Sequence, residues 1–269
     1  MPNSKSHQAM KLSDVVSFSF RQELAAIRHQ EAERANRQLI VFPTPWADMA
    51  ERHLSVQSMF CRACIAAGYL TQEQMVRAAQ RYRLGMSRDG GVIFWQISQA
   101  GRVYDGKVMY YKADCHRDHH RNPTWVSNEL KQFYRCNADV DSVHCLFGSH
   151  LLGSQSQPVA VVEAEKTAVI LSEIFPQYLW LAAGGLTELT PLKLFPLRHS
   201  QVTLFPDTDE TLTAYTLWYN VAQQAMRLNG GKIAVSPLLE QKATPEQKRR
   251  KIDLIDFLYE SHRVTGQKS

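Results

Sequence analysis

Two acidic clusters, each at the end of a short hydrophobic run, constrain what this chain can fold into. The first run begins at Pro158, is rich in valine, and passes from its acids directly into a helical pattern over Thr167–Phe175. The second run begins at Gln201 and also stops on acids. The acids are Glu163 and Glu165 in the first cluster, and Asp207, Asp209 and Glu210 in the second. Each cluster is therefore predicted to follow a β-strand.

The pattern between the two clusters predicts a parallel sheet. A third apolar run starts at Tyr178, a Gly184–Gly185 turn follows it, and a helix-like stretch covers Thr190–Leu197. Alternating strands and helices are typical of parallel strands joined by crossover helices. Because ligands bind outside the carboxyl ends of such strands, both acidic clusters are predicted to point into one crevice.

The spacing within the second cluster favours a metal site. Asp207 and Asp209 are two residues apart, and such residues on an extended chain face the same way. Crowded carboxylates repel one another unless a cation neutralises them, and ligand sets made only of oxygen suit Mg²⁺ or Mn²⁺ rather than zinc. The alternative is that these acids only cap helices or lie in surface loops.

These residues resemble the Toprim domain, which bacterial DnaG-type primases share with topoisomerases and some nucleases. The resemblance covers about Pro158–Leu239 and rests on four features: the strand that ends on Glu163, the lysine in the next helix start, the glycine turn, and the strand that ends on an Asp-x-Asp pair. It implies that Glu163 is a general acid or base, or a metal ligand, and that Asp207 and Asp209 bind the metal.

The same resemblance assigns further residues and also shows two departures. It places Gly184 or Gly185 at the turn that brings the backbone close to the site, and Glu165 and Glu210 beside the site as additional acids. Alanine stands at position 164, where the family commonly has glycine, and no glycine follows the Asp pair. Both departures bear on activity rather than on fold.

A hairpin pattern upstream extends the resemblance to primase cores back to about Tyr69. Val92–Ile97 and Arg102–Tyr111 are predicted strands, and Ser98–Gly101 is the turn between them. Thr124 stands where the corresponding family segment has lysine. The residues predicted to bind the phosphates of nucleic acid or of nucleotides are Lys107, Arg117, Arg121, Lys131 and Lys166.

The charge distribution agrees with a protein that binds phosphates beside a cation. The net charge is +5, but residues 77–135 carry 11 Lys and Arg against 5 Asp and Glu, whereas residues 136–239 carry 5 against 9. A basic segment thus precedes an acidic one, as expected of a nucleic-acid surface next to a metal site. A solvated charged surface is the alternative interpretation of the basic segment.

These patterns together predict an α/β fold. The resemblance implies that it consists of a C-terminal Toprim domain, a parallel sheet flanked by helices, preceded by a smaller α+β basic domain as in primase cores. The predicted boundaries are 1–45 for a polar tail and helix, 46–150 for the basic domain, 151–240 for the Toprim domain and 241–269 for a basic C-terminal helix and tail. With 44% apolar residues, the chain is able to bury a sizeable core.

The cysteines are predicted to be reduced thiols. The sequence contains Cys61, Cys64, Cys115, Cys136 and Cys145. An odd number without an export signal is typical of a cytoplasmic protein, and no run is long and apolar enough to span a membrane. Cys61 and Cys64 lie in an apolar helical run and are predicted to be buried, whereas a zinc site shared with Cys115, His116 and the histidines nearby is the alternative. Zinc is not expected as a cofactor.

Helical patterns flank the predicted core. The pattern predicts helices over 20–39, 47–67 and 71–82, the last opening on a capping box at Thr71. The segment from Thr244 to Tyr259 predicts one capped amphipathic helix with a basic first turn.

The function implied by the resemblance is primase-like nucleotidyl transfer on single-stranded DNA, dependent on Mg²⁺ or Mn²⁺. The expected partners are single-stranded DNA, nucleoside triphosphates and proteins of replication or mobilisation, with no membrane, in the cytoplasm. The lack of a zinc-ribbon spacing or a helical bundle around the core favours a stand-alone protein of the kind that mobile elements carry. A metal-dependent Toprim nuclease and a non-catalytic DNA-binding or recruitment module are the alternatives.

Overall fold

The computed structural model describes residues 56–129, 144–153 and 157–266, and of 262–266 only the backbone. All of them belong to one compact unit of the chain. The predicted tail and helix before residue 45, residues 47–55 of the predicted helix over 47–67, and Lys131 lie outside the described residues.

Two helices open the described chain. Helix α1 spans Met59–Ala66, and the hydroxyl of Ser58 accepts a hydrogen bond from the backbone N–H of Cys61 at its start. Helix α2 spans Gln72–Arg81 and begins with the predicted capping box, in which Thr71 and Gln74 exchange side-chain to backbone hydrogen bonds.

The upstream sheet is antiparallel, as the hairpin pattern predicted. Its strands follow one another in spatial order, and Gly106 lies opposite Trp95, where an added Cβ would come within 2.8 Å of the indole ring. This close approach explains the glycine in the middle of a buried strand. The strands are β1 (Gly85–Met86), β2 (Val92–Ile97), β3 (Val103–Met109) and β4 (Thr124–Trp125).

The second sheet is fully parallel, which confirms the strand prediction. Its spatial order is β6-β5-β7-β8, so the two strands that precede the acidic clusters are neighbours. The strands are β5 (Val159–Val162), β6 (Leu179–Ala182), β7 (Gln201–Phe205) and β8 (Lys232–Val235).

Three helices cross between these parallel strands. Helix α3 spans Glu165–Ile174, and α5 spans Thr213–Asn229. The stretch predicted as one helix over Thr190–Leu197 is a short helix α4, Pro191–Leu194, followed by a 3₁₀ turn, because a second proline at position 196 interrupts the α-helical hydrogen bonds.

The C-terminal segment corrects the prediction of one helix from Thr244. Helix α7 spans Pro245–Arg249, and helix α8 begins at Leu254, after helix α6 over Leu238–Lys242. The chain turns at Lys251, which has a positive φ of 53°. The break lets the carbonyl of Ile252 accept a hydrogen bond from Thr208 at 3.2 Å and buries the acid that follows it.

A shared core joins the two sheets. One cluster of fully buried side chains includes Phe94 from the antiparallel sheet and Val162 from the parallel sheet, together with residues of α1, α2, α3 and α8. Within the described part of the chain, no helix combines the length and the apolar content that crossing a membrane requires.

Candidate functional site

Glu163 lies at the carboxyl end of β5, held by the glycine turn that follows β6. Its backbone carbonyl accepts a hydrogen bond from Gly184 at 2.9 Å, and its carboxylate accepts one from the N–H of Leu186. The positive φ of 94° at Gly184 is a conformation that glycine adopts without strain. Burial, together with the negative charges of neighbouring carboxylates, raises the pKa of Glu163.

Asp207 follows the neighbouring strand β7, and the structure brings it to Glu163. Burial raises the pKa of Asp207 well above its usual range, and the nearby charge of Glu163 raises it further. Asp253 contributes to the same effect. A carboxylate whose pKa is raised by its neighbour in this way is repelled by that neighbour's charge, and a cation at the same place would relieve the repulsion.

Asp209 has a different use from the one that the spacing predicts. The extended strand ends at Phe205, so the rule that residues two apart share a face does not apply to the segment after it. One carboxylate oxygen of Asp209 accepts hydrogen bonds from the N–H groups of Thr211 and Thr213, and the other accepts one from Ala214 at 2.9 Å. Asp209 therefore caps the start of α5, which is the structural alternative left open by the sequence.

Asp209→Ala is expected to destabilise the fold by about 1–2 kcal/mol, because it leaves the first N–H groups of α5 without an acceptor. Burial by itself would raise the pKa of Asp209, but these hydrogen bonds lower it to about 2. The stabilisation is therefore present at neutral pH and is lost as the pH falls from about 4 towards 2. Urea unfolding at pH 7 and pH 3 measures this, and an equal effect at both values would contradict the capping role.

Lys107 of β3 links the antiparallel sheet to the acidic edge. Its ammonium group donates hydrogen bonds to the carboxylate of Glu165 at 3.1 Å and to the carbonyl of Gly184 at 2.7 Å. Glu165, the first residue of α3, is only 1% exposed. Lys107 thus neutralises a buried acid and fixes the glycine turn beside Glu163.

Lys166 is held by an acid that the sequence analysis did not select. Its ammonium group lies 3.5 Å from the carboxylate of Asp253, and both side chains are 9% exposed. Asp253 also accepts a hydrogen bond from the hydroxyl of Thr167 at 2.7 Å. Although burial opposes it, the charge of Lys166 lowers the pKa of Asp253, so the pair is ionised. Asp256, one turn further along, has a raised pKa through burial and the charge of Asp253.

A sequence signal for Asp253 and Asp256 exists. The two acids interrupt the apolar run Ile252–Phe257 at a spacing of three residues, which places them on one face of a helix start. Assigning them to the site required knowing that α8 packs against α3, and the periodicity alone does not give that contact.

The remaining predicted residues make other contacts, are exposed, or belong to the glycine turn. Arg121 stacks its guanidinium 3.4 Å above the ring centre of Tyr110 and forms an ion pair with Asp89. The side chains of Arg117 and Glu210 are exposed. Gly185 completes the turn beside Glu163 with a φ of 156°.

The donor set at the acidic edge fits magnesium. Within residues 56–129, 144–153 and 157–266, no three His, Cys, Asp or Glu side chains form a preassembled metal cage. Magnesium usually binds one or two carboxylates and completes its shell with water and substrate phosphates. Glu163 and Asp207 follow neighbouring parallel strands and supply two carboxylates at this edge, the number that such a site uses.

Three cysteines gather in the core beneath this edge. Cys61, Cys64 and Cys115 are all fully buried, and Cys64 and Cys115 share a hydrogen bond. Burial raises the pKa of Cys61 to about 11, so it is a protonated thiol at neutral pH. The predicted burial of Cys61 and Cys64 is confirmed.

A family model described as Domain of unknown function (DUF6371) matches residues 62–208, more than half of the chain. The chain belongs to this family. The matched DUF6371 region includes both Glu163 and Asp207 and ends immediately before Asp209. No curated protein sequence matches the chain.

Several solved primase structures are similar to this chain. The catalytic core of the E. coli primase is 13% identical, with a TM-score of 0.46 over 80% of this chain and 82% of that one. The RNA polymerase domain of the Mycobacterium tuberculosis primase is 16% identical, with a TM-score of 0.44 over 77% and 80%. The primase fragment of the bacteriophage T7 primase-helicase is 18% identical, with a TM-score of 0.38, and this chain spans 60% of that fragment's length.

Proposed function

We propose that the protein is a Toprim-type nucleotidyltransferase that uses Mg²⁺ or Mn²⁺ to join nucleotides on a single-stranded DNA template, as primases do. The observation that carries the proposal is the pair formed by Glu163 and Asp207. The pair lies at the carboxyl ends of neighbouring parallel strands, where ligands bind in open α/β sheets. A divalent cation bound between the two carboxylates would neutralise the repulsion between their charges.

The residues around the pair have separable roles in this reaction. Glu163 and Asp207 would hold the cation, which supplies charge stabilisation for the attacking and leaving oxygens of phosphoryl transfer. Glu163 is also suited to accept a proton from an attacking hydroxyl, because burial raises its pKa and so makes the carboxylate a stronger base. Lys107 fixes the Gly184 turn and thereby the orientation of Glu163.

The partners follow from the same proposal. The substrates are nucleoside triphosphates and single-stranded DNA, and the basic residues between 77 and 135 provide the phosphate contacts. Proteins of replication or mobilisation would bring the enzyme to its template, as expected of a primase-like protein carried on a mobile element.

A non-catalytic DNA-binding module is the second candidate, favoured by the use of Asp209. Because both oxygens of Asp209 accept hydrogen bonds from α5, the Asp-x-Asp pair contributes one carboxylate to the edge instead of two. The ion pair of Lys166 with Asp253 likewise occupies a lysine that the resemblance assigns to phosphate.

Incubating the purified full chain with single-stranded DNA, four ribonucleotides and Mg²⁺ tests the proposal. We expect short RNA products, and we expect none when EDTA replaces the metal. DNA shortened in the absence of nucleotides would identify a nuclease. Tight DNA binding without either product would identify the binding module, and synthesis that persists in EDTA would contradict metal dependence.

A further inference from the structure

A segment outside the predicted site runs along the open side of the parallel sheet. Phe147 and Ala182 exchange both of their backbone hydrogen bonds, at 2.9 and 3.1 Å, in an antiparallel bridge to edge strand β6. Since β6 leads directly into the Gly184 turn, antiparallel pairing carries the residues before Phe147 towards that turn. His144 is therefore at the same edge of the sheet as Glu163.

The imidazole of His144 is held flat against Trp125. The two ring centres are 4.0 Å apart and the planes differ by 21°. Trp125 in β4 pairs directly with Lys107 in β3, so both side chains extend from the same face of the antiparallel sheet. Lys107 in turn reaches the carbonyl of Gly184. A continuous row of side chains thus connects the glycine turn with His144.

His144 carries a polar atom that lacks a partner. Its Nε2 is buried and makes no hydrogen bond with any residue that the structure describes. Buried polar side-chain atoms nearly always have a partner, so an unpaired one requires an explanation. The charged groups that face the ring are Lys193 of α4, Glu188 before it, and Lys107 of β3.

The two lysines near this nitrogen are both paired with acids, Lys193 with Glu188 at 3.1 Å and Lys107 with Glu165 at 3.1 Å. Burial lowers the pKa of His144, and the positive charges of Lys193 and Lys107 lower it further, whereas Glu188 opposes them. The imidazole is therefore neutral at pH 7. A neutral imidazole binds a phosphate oxygen by donating a hydrogen bond from its N–H, so the unpaired nitrogen rather than the local charge suits it to such a ligand.

We propose that His144 donates a hydrogen bond from Nε2 to a phosphate oxygen of the substrate bound at the Glu163–Asp207 edge. The inference rests on the proposed function and adds a residue that positions the substrate. Stacking on Trp125 fixes the ring, so the donor is oriented before the phosphate arrives, which reduces the entropy lost on binding. The phosphate belongs either to a free nucleoside triphosphate or to the backbone of the DNA strand.

The test measures binding of two probes to the full chain without metal: inorganic tripolyphosphate and a single-stranded oligodeoxynucleotide. His144→Ala is expected to weaken binding about tenfold, the effect of one hydrogen bond to a charged group. His144→Gln, which keeps an N–H donor, is expected to retain part of the binding. His199→Ala is the matched control, because His199 is exposed and precedes β7, at the opposite edge of the sheet. If His144→Ala loses affinity for tripolyphosphate alone, the contact is to the nucleotide. If it loses affinity for the oligonucleotide alone, the contact is to the DNA strand.

A second measurement on the native chain does not depend on the variants folding. In an NMR titration, saturation with the probe that binds should raise the pKa of the His144 resonance, because an anion stabilises the charged imidazole. An unchanged pKa, or equal affinities for the native chain and His144→Ala, would overturn the inference. RNA synthesis with an unaltered His144 resonance would overturn it while leaving the proposed function standing. A His144-dependent phosphate site without synthesis would instead overturn the nucleotidyltransferase proposal.

Discussion

Asp207→Asn is expected to reduce nucleotide incorporation by about 100- to 1,000-fold, the usual effect of removing an electrostatic group that acts on the transition state. The substitution keeps the shape of the side chain and removes the charge that would hold the cation. Glu163→Gln is expected to reduce nucleotide incorporation by a similar factor, because it removes the other proposed ligand of the pair, which is also the candidate proton acceptor. Primer synthesis at saturating Mg²⁺ measures both variants.

Asp207→Asn is also expected to make the metal-free fold more stable, by about 0.5–2 kcal/mol. In the native chain the charges of Glu163 and Asp207 repel one another, and the neutral amide removes that repulsion. Thermal unfolding in EDTA should therefore show a higher Tm for Asp207→Asn than for the native chain. Addition of Mg²⁺ should raise the Tm of the native chain only, since the variant lacks half of the carboxylate pair.

Glu246→Gln provides the matched control for the loss of one negative charge. Glu246 is an exposed acid of α7 whose ion pair with Arg249 lies on the surface, where such pairs contribute little. The activity of the Glu246→Gln variant and the change in its Tm on adding Mg²⁺ should equal those of the native chain. An Asp207→Asn variant that is both inactive and less stable in EDTA would mean that the carboxylates serve the fold rather than a cation.

Stability should also depend on pH in a direction set by this pair. The pKa values of Glu163 and Asp207 are both raised in the folded state, so the folded chain binds more protons than the unfolded chain in the window above about pH 4. The free energy of unfolding contributed by the pair therefore decreases as the pH rises through that window. Comparing the native chain with Asp207→Asn in EDTA isolates the part due to Asp207, so the pH dependence should be weaker in the variant, where Glu163 keeps a pKa raised by burial.

The strands that were predicted are those with a clear local signal, whereas β8 at the edge of the parallel sheet was not predicted. The valine-rich run before Glu163 and the run from Gln201 become adjacent parallel strands, and that adjacency brings Glu163 to Asp207. Glycine at 184 was predictable for the same reason, since a tight turn at a strand end calls for positive φ. These features depend only on the local sequence and on rules of sheet topology.

The departures arise where tertiary contacts decide the outcome. Asp209 was assigned to the metal by its spacing, but the strand has already ended, and a carboxylate at a helix start is stabilised by the free N–H groups there. The expected single helix after Thr244 divides at Lys251 because burial of Asp253 beside Lys166 requires the chain to turn. No signal in the sequence indicated His144, because its stacking on Trp125 joins two segments that are distant in sequence.

The ion pair between Lys166 and Asp253 gives the largest expected effect on stability. Asp253→Ala is expected to lower the free energy of unfolding by about 3–5 kcal/mol, because it leaves the ammonium group of Lys166 buried without a partner. It also removes the acceptor for the hydroxyl of Thr167, at 2.7 Å, and for the N–H of Asp256, at 2.8 Å. Urea unfolding at pH 7 measures the loss.

A double variant distinguishes the lost pair from lost packing. Lys166→Met combined with Asp253→Leu replaces both charges with apolar side chains of similar volume, and such exchanges of buried pairs are often neutral or stabilising. The double variant should therefore recover most of the stability that Asp253→Ala loses. If the double variant is as unstable as Asp253→Ala, the hydrogen bonds to Thr167 and Asp256 dominate. Asp253 would then act mainly as the residue that docks the start of α8 onto α3, and its contribution to the charge at Asp207 would be secondary.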